Sequence, residues 1–553
     1  MLVSLLMRIA TTLYQKPRIR LTGCGVTPRC THRSRGERGA VRHRSKFRPG
    51  ARQRTNAGAA LAAVAIFALA ALPAAADPPA PPPTPTVASE TNAGPATLTP
   101  FTGDTAIEDR LDTAGRMVIR GERLHEHLVR RFYAAHQWNA VWNDHPAAAA
   151  ALLGTVLRAD RHGLDPASFH SAALTETGRT LSPIEHDLLL SDAILSYADA
   201  LARGAMPVGD RPEVEDLHPK PVDIVATVDA AMSEPDPVQT IEALAPTSPE
   251  YLAMRRAYAE YLALAASAGR PWNVTARGPI PRVNAAEALR RARQIAINLE
   301  RLRWLPRDLP PDRLVVDATV SQLQLFRNDS PMFTTRVVVG EFDKQTPELQ
   351  STVKTILFNP PWNIPPSIVK KEIMPKLAGN HGYLTAHHMR WRGPMSIQQE
   401  AGPHSALGRL KFEMEDRFDV YLHDTPERWR FQSADRMMSH GCVRVENPRS
   451  LASLLLAARS EEIDQAINVD HTHRRALPKS MPVFIVYRTA VPESDGSIAF
   501  RGDPYDRDAA IWAYLSRARE QSVAQRSSRD STDRVRTGQS GTTAGQKTAT
   551  IGD

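Results

Sequence analysis

Hydrophobic periodicity changes near Pro311, and this change limits how the chain can fold more than any other feature of the sequence. Before it, apolar residues such as Leu124 and Leu128 recur three or four positions apart, which is the spacing of an amphipathic helix. After it, apolar and β-branched runs follow the two-residue period of strands. Each pattern buries its apolar side against a different kind of layer. The sequence therefore predicts an α+β protein, with a helical scaffold domain over residues 106–305 and a mainly β domain over residues 306–490.

The clearest predicted helix lies just before this change. Asn284 has a side chain suited to cap a helix N-terminus, and Glu287 follows three residues later. Apolar residues then mark one face as far as Trp304, and Pro306 stops the helix. We expect this helix to lead directly into the mainly β domain.

The mainly β domain contains six runs with the composition of strands. They are Leu314–Val320, Leu323–Phe326, Arg336–Val339, Thr352–Phe358, Val420–His423 and Val483–Tyr487. Residues 365–409 interrupt this pattern with a candidate helix, Ser367–Leu377, and a stretch rich in Gly and His. Long insertions between strands often close over a site, so we predict that residues 365–409 form a lid.

The first 76 residues have the composition of an export signal. Fourteen Lys/Arg and one acidic residue precede the apolar run Ala59–Leu72, and an Ala-x-Ala cleavage site ends at Ala76. The basic part is longer than in ordinary signals, which suggests an upstream start codon assigned in error. An uncleaved membrane anchor over residues 57–76 is the alternative. Both interpretations predict export to the periplasm.

Two further segments lack the composition of a folded domain. Residues 77–105 are rich in Pro, Ala and Thr, which favours an extended linker. Residues 519–553 are rich in Ser, Thr, Gly, Arg and Gln and contain hardly any large apolar side chain. We predict a disordered tail there.

The positive charge of the chain comes from the export segment. The whole chain has a net charge of +9, with 69 basic and 60 acidic residues. Removing the fourteen basic residues and one acidic residue of residues 1–76 leaves 55 and 59, a net charge near −4. We therefore expect no nucleic-acid partner. Membrane contact is expected only through the N-terminal segment, if that segment is not cleaved.

Cysteine usage singles out one residue. Cys24 and Cys30 lie in the export segment, so Cys442 is the only cysteine expected in the exported protein. It has no internal disulfide partner in an oxidising compartment. A lone cysteine is commonly a small buried hydrophobe. Its neighbours Ser439, His440 and Gly441 point instead to a nucleophile, because a thiol beside an imidazole can be deprotonated.

Two histidines are candidates for the base that deprotonates Cys442. His440 stands two residues before it and His423 nineteen residues before it. In a strand containing Tyr421, Leu422 and His423, the apolar Leu422 would face the core, so Tyr421 and His423 would share the other face. Strand geometry therefore favours His423, with His440 left as the alternative.

Other residues of the same segment suit substrate binding. Gly441 permits a tight backbone in which its own N–H and that of Cys442 converge on an oxyanion, and the Tyr421 hydroxyl can add a donor. Arg444, on the same side of an extended chain as Cys442, is placed to hold a substrate carboxylate.

We predict no metal and no cofactor. The histidines of the lid form a loose group, but no pair at helical spacing has a third ligand in view. These residues are His381, His387, His388 and His404.

The spacing of His423, fifteen intervening residues and Ser439-His440-Gly441-Cys442 resembles the signature of L,D-transpeptidase catalytic domains. Further segments are similar to the large periplasmic branch of that family, and the resemblance covers roughly residues 110–490. These segments are Leu299–Pro306, Val339–Pro347, Phe358–Pro366 and Ala406–Phe412.

The resemblance implies that the Cys442 thiolate attacks a peptidoglycan tetrapeptide between diaminopimelate and D-Ala, releasing D-Ala and leaving a thioester. An amine of a second stem peptide then forms a 3→3 cross-link. His423 would be the base, Tyr421 and the Gly441 and Cys442 amides would bind the oxyanion, and Ser439 and His440 would shape the nucleophile loop. Carbapenems would acylate Cys442.

Two alternatives stay open at this point. Water in place of the acceptor amine would make the protein an L,D-carboxypeptidase, and a site without activity would leave a cell-envelope scaffold protein. The expected partners are peptidoglycan stem peptides, with cell-wall synthesis enzymes beside them.

The chain departs from the large branch in lacking room for a peptidoglycan-binding module between Tyr261 and the helix at Asn284, which leaves the docking of substrate open. It also has Arg444 where the generic signature often has Asn.

Overall fold

A computed structural model describes residues 105–112, 117–175, 181–267, 283–469 and 471–517, all of which belong to one structural unit. The predicted export signal, nearly all of the predicted linker and the predicted tail lie outside the described residues. Within the described ranges, no helix has both the length and the apolar character needed to cross a membrane.

The helices form two groups along the chain. Those before the strands are α1 Thr105–Asp112, α2 Glu126–Ala135, α3 Pro146–Val156, α4 Ser171–Thr175, α5 Pro183–Arg203, α6 Ile224–Ser233, α7 Pro237–Glu242, α8 Pro249–Ala266 and α9 Ala285–Trp304. Those among or after the strands are α10 Pro366–Ile368, α11 Met374–Gly379, α12 Tyr383–Ala386, α13 Pro448–Leu456, α14 Ser460–Asn468 and α15 Asp508–Leu515.

The strands lie mainly after residue 312. They are β1 Val118–Ile119, β2 Glu122–Arg123, β3 Glu215–Asp216, β4 Arg313–Asp317, β5 Gln322–Arg327, β6 Ser330–Gly340, β7 Glu348–Phe358, β8 Trp362–Ile364, β9 Met389–Gly393, β10 Ser396–Gln399, β11 Leu410–Glu413, β12 Leu422–His423, β13 Met437–Ser439, β14 Val443–Val445, β15 His473–Val486, β16 Ala490–Pro492 and β17 Ile498–Phe500. The predicted class, a helical region followed by a mainly β domain, is confirmed.

The main sheet closes on itself. Its strands follow the order β11-β12-β14-β6-β5-β4-β15-β7, and β7 pairs again with β11. Two of these pairings are parallel, β12 with β14 and β4 with β15. Alternate side chains point inward and, with the apolar faces of α13 and α14, form a core that includes Leu314, Val337, Phe358, Leu422 and Val443.

The predicted last helix of the scaffold is confirmed as α9. The Asn284 side chain accepts a hydrogen bond from the Glu287 backbone N–H at 2.8 Å, as a capping residue does. The helix ends at Trp304, and twelve of its twenty residues are buried. It is therefore one of the core helices of the scaffold rather than a surface connector.

Residues beyond the predicted end of the β domain also contribute to the core. Ile511 and Leu515 of α15 are buried in the same cluster as the scaffold helices, together with Phe484 and Val486 of β15. Asn298 of α9 donates from Nδ2 to the Thr489 hydroxyl at 2.8 Å. The helical scaffold and the back of the sheet thus share one apolar layer, which the sequence analysis did not anticipate.

The predicted lid forms a small subdomain together with β8. Strands β8, β10 and β9 make an antiparallel sheet in that order. Between β8 and β9 the chain forms α10, a π-helical turn Val369–Ile373 and α11, so the predicted helix over residues 367–377 is confirmed as a helical segment with a π-turn at its centre. A separate apolar cluster holds this subdomain together. Its buried members are Ile364, Val369, Ile373, Leu384 and Ile397.

Candidate active site

Two short parallel strands place the predicted site residues on one face. Leu422 pairs with Val443, and both side chains are fully buried in the core of the sheet. Because side chains alternate along a strand, the flanking residues point to the opposite face. These residues are Tyr421, His423, Cys442 and Arg444. All four line a cavity of about 880 Å³ between the sheet and the lid.

The loop before Cys442 is held by Ser439 and Thr346. The Ser439 hydroxyl donates to the Cys442 carbonyl at 2.6 Å and accepts from the Gly441 N–H at 3.1 Å. Thr346 donates to the Gly441 carbonyl at 2.8 Å. Gly441 has a φ of +112°, a conformation that side-chain-bearing residues rarely adopt. Its N–H is therefore engaged within the loop, and the Cys442 N–H and Tyr421 hydroxyl are the donors left for an oxyanion.

The thiol of Cys442 is half-buried beneath Tyr421. Its Sγ lies 3.8 Å from the Asp419 carbonyl oxygen and is hydrogen-bonded to Tyr421. Burial raises the pKa of Cys442, while the hydrogen bonds from Tyr421 and the positive charge of Lys411 oppose that rise. At neutral pH the thiol therefore keeps its proton until a base removes it.

His423 is suited to be that base. Its Nδ1 lies 2.6 Å from the Asp424 backbone carbonyl, which can only accept, so Nδ1 carries the proton and Nε2 is left as the acceptor. The imidazole is buried. Burial, followed by the charge of Arg444, lowers the pKa of His423 to about 3. The ring is therefore neutral at physiological pH and can accept a proton.

His440, the alternative base, faces a different group. Its Nε2 lies 2.6 Å from a carboxylate oxygen of Glu372, in the π-turn of the lid. The same oxygen lies 3.0 Å from the ammonium of Lys344. His440 thus joins the nucleophile loop to the lid, and this position favours His423 as the partner of Cys442.

Arg444 does not present a free guanidinium. It is ion-paired with Glu427, which also pairs with Arg430 at 2.8 Å. The sequence assigned Arg444 to a substrate carboxylate; in the structure its Nη1 binds Glu427, while its Nε has no hydrogen-bond partner among the described residues. A structural role beside His423 fits these contacts.

Lys411 was missed by the sequence analysis. It lies on β11, where its backbone pairs with that of His423, and its ammonium is 3.9 Å from the centre of the Tyr421 ring. The inward neighbours Leu410 and Phe412 are fully buried, so Lys411 shares the outward face with the other site residues. The alternation Leu-Lys-Phe in the sequence was the signal that could have found it.

Trp362 and Tyr421 form the boundary between the sheet and the lid. The Tyr421 hydroxyl hydrogen-bonds to Trp362 of β8 as well as to Cys442. Burial raises the pKa of Tyr421 far above its usual value, so the hydroxyl stays protonated and can donate. The lid therefore contacts the surroundings of Cys442 at two points: Trp362 meets Tyr421, and Glu372 meets His440.

The fold and the site together define a class of protein. It has a closed β-sheet, and one cavity beside that sheet is lined by a cysteine and a neutral histidine. Residues 311–485 match the family model for the L,D-transpeptidase catalytic domain, named YkuD, and residues 127–257 match the model for a scaffold domain. The chain thus carries an L,D-transpeptidase catalytic domain preceded by a scaffold domain, and the family resemblance predicted from the sequence is confirmed.

A curated relative supports this assignment. It is a protein of Haemophilus influenzae, described provisionally as an L,D-transpeptidase. The two are 27% identical over 411 residues, which are 69% of this chain and 78% of that protein.

Solved structures of L,D-transpeptidases are also similar to parts of the chain. One from Mycobacterium smegmatis has 11% identity and a TM-score of 0.19, over 32% of this chain and 58% of that one. A variant from Enterococcus faecium has 8% identity and a TM-score of 0.17, over 42% of this chain and 82% of that one.

Proposed function

We propose that the protein is a peptidoglycan L,D-transpeptidase that forms 3→3 cross-links through a thioester on Cys442. One observation carries the proposal: Cys442 and a neutral His423 face the same cavity from neighbouring strands of a domain that matches this family. The name of the curated relative supports the same activity.

In the first half-reaction, His423 Nε2 takes the thiol proton and the sulfur attacks the L-centre carbonyl of diaminopimelate. The Cys442 N–H and the protonated Tyr421 hydroxyl donate to the oxyanion that forms. When the oxyanion collapses, the carbon–nitrogen bond breaks and the His423 imidazolium protonates the departing D-Ala amine. The products are free D-Ala and a thioester on Cys442.

In the second half-reaction, the side-chain amine of another stem peptide attacks the thioester and gives its proton to His423. The carbon–sulfur bond breaks, and the thiol of Cys442 recovers a proton. Water in place of the amine would give a tripeptide, the product of an L,D-carboxypeptidase. The outcome depends on how far the lid excludes water, so the contacts of Trp362 and Glu372 bear on it directly.

We also propose that the protein acts in the periplasm. The composition of residues 1–76 supports export, either with cleavage after Ala76 or with an anchor at residues 57–76. The proposed substrate is found in that compartment, and the single cysteine of the remaining chain agrees with an oxidising environment.

The purified protein and its Cys442→Ala variant should be incubated with disaccharide-tetrapeptides and the products identified by mass. Cross-linked dimer with loss of D-Ala from the wild type alone supports transpeptidation. Tripeptide without dimer identifies a carboxypeptidase. No product from either protein, together with no carbapenem adduct on Cys442, would identify a cell-envelope scaffold protein.

A further inference from the structure

Lys411 brings a positive charge to the cavity beside Cys442. Strand β11 is antiparallel to β12, and Lys411 is paired with His423, which in turn is paired with Arg444 on β14. The three side chains therefore form a row across neighbouring strands, and all line the same cavity. The ammonium of Lys411 lies over the ring of Tyr421, the residue that contacts the thiol.

Two of the other three cations that line the cavity are ion-paired, and the third is exposed. Lys344 is bound to Glu372 at 3.0 Å, and Arg444 is bound to Glu427. Lys371 stands exposed on the lid, at the edge of the cavity. Among the ion pairs of the described residues there is none for Lys411, and Glu413 on the same strand is bound to Arg474 at 3.1 Å. Lys411 is thus a partly buried ammonium without a carboxylate partner.

An arrangement of this kind favours an anionic ligand. Burial lowers the pKa of Lys411, because an ammonium that loses water is destabilised; the carboxylates of Glu413 and Asp419 oppose this shift from a distance, without an ion pair to Lys411. A carboxylate entering the cavity would restore that lost interaction. The donor proposed above carries one carboxylate on the terminal D-Ala, next to the scissile bond, and another on the D-centre at the far end of the diaminopimelate side chain.

We infer that Lys411 binds a carboxylate of the donor stem peptide and sets the position of the scissile carbonyl over Cys442. This inference depends on the proposed function. It gives Lys411 the kind of role that the sequence suggested for Arg444, whose Nη1 is bound to Glu427. It also makes the charge of the donor a determinant of substrate choice.

The test uses the full chain, its Lys411→Met and Lys411→Arg variants, and three donors. The donors are the unmodified tetrapeptide, the same peptide with a carboxamide on D-Ala, and the same peptide amidated at the D-centre of diaminopimelate. Lys354→Met is the matched control, since Lys354 is an exposed lysine on the adjacent strand β7. Release of D-Ala or its amide gives KM and kcat, and donor affinity is measured in the Cys442→Ala background.

With the unmodified donor, Lys411→Met should raise KM by about tenfold, as expected for loss of one charge-assisted hydrogen bond, and should change kcat much less. Lys411→Arg should recover most of this loss. Wild type should discriminate against one amidated donor, and the Lys411→Met variant should not. The amidated donor that the wild type disfavours, and that Lys411→Met accepts, identifies the carboxylate that Lys411 binds.

Two results would overturn the inference while leaving the proposed function intact. One is a wild-type preference against both amidated donors that Lys411→Met leaves unchanged. The other is a loss confined to kcat with unchanged donor affinity in the Cys442→Ala background, provided that the variant unfolds at the wild-type temperature. If wild type and Lys354→Met release no D-Ala from any donor, the proposed function itself fails, and the inference fails with it.

Discussion

The carboxylate of Glu372, in the lid, lies 2.6 Å from Nε2 of His440, two residues before Cys442. This contact joins the π-turn of the lid to the loop that carries the nucleophile. Lys344, which follows β6, binds the same carboxylate oxygen. Glu372 therefore links the lid to the sheet at the edge of the catalytic cavity.

Replacing Glu372 with Gln should loosen the lid and favour hydrolysis over transfer. Glu372 and His440 are each about one-third exposed, so their contact should contribute roughly 1 kcal/mol to lid closure. Losing this free energy should raise the ratio of tripeptide to dimer about fivefold. Mass analysis of the products gives this ratio. Glu341→Gln is the matched control, because Glu341 also binds Lys344, at 3.0 Å, and is not the residue that joins the lid to His440. An equal shift in both variants would contradict a specific role for Glu372.

The reactivity of Cys442 should stay level across the neutral pH range and rise only under alkaline conditions. Burial lowers the pKa of His423 to about 3, so the imidazole is already an unprotonated base throughout the neutral range. Burial raises the pKa of the Cys442 thiol, so its own ionisation adds to the rate only under alkaline conditions. Single-turnover acylation by a carbapenem, measured between about pH 5 and 10, should show no inflection near the ordinary imidazole value. Such an inflection would mean that His423 titrates in the free enzyme. As a control, the reaction of free cysteine with the same carbapenem gives the pH dependence of a thiol outside the protein.

The face of the site was predictable because strand alternation is a local rule. Buried Leu422 fixes the direction of Tyr421 and His423, and buried Val443 does the same for Cys442 and Arg444. The helical and β regions were also predictable from a local pattern, because the hydrophobic period changes between them. These inferences needed only neighbouring residues in the sequence.

The partners of the site residues were not predictable in this way. The pairing of Arg444 with Glu427 spans 17 positions, and that of His440 with Glu372 spans 68, so neither follows from local spacing. The contribution of β15 and α15 to the scaffold core depends likewise on how the sheet closes. The alternation Leu-Lys-Phe gives the face of Lys411, but that this face meets His423 follows only from the pairing of β11 with β12.

The buried ion pair between Arg303 and Glu300 should be essential to the stability of the scaffold. Both side chains are fully buried, 2.6 Å apart, and Glu300 also accepts from the Met206 N–H at 2.9 Å. Arg303→Met would leave the carboxylate without its counter-ion, which costs about 3–5 kcal/mol of unfolding free energy. Chemical denaturation measures this loss.

A double-variant comparison separates the pairing from the loss of packing. Arg303→Met combined with Glu300→Gln should be more stable than the sum of the single losses predicts, because no unpaired charge remains. Arg290→Met is the control, since Arg290 pairs with Glu287 at the same spacing on α9 but is 69% exposed. Its loss should stay below about 0.5 kcal/mol. Strictly additive effects at positions 300 and 303 would contradict the proposed coupling.

Gly408 should be required for the position of His423 as well as for folding. Its φ is +59°, and an added Cβ would lie 2.4 Å from Cγ of Asp424, whose carbonyl accepts from His423 Nδ1. Gly408→Ala must therefore strain its own backbone and displace Asp424, whose carboxylate also accepts from the Arg409 N–H at 2.8 Å. We expect a loss of about 2 kcal/mol in unfolding free energy and slower carbapenem acylation of the fraction that remains folded. Gly502→Ala, where the added Cβ meets open space, should leave both quantities unchanged. If Gly408→Ala has the stability and the acylation rate of the wild type, Asp424 can move without displacing His423. The Asp424 carbonyl would then not be the group that orients the base.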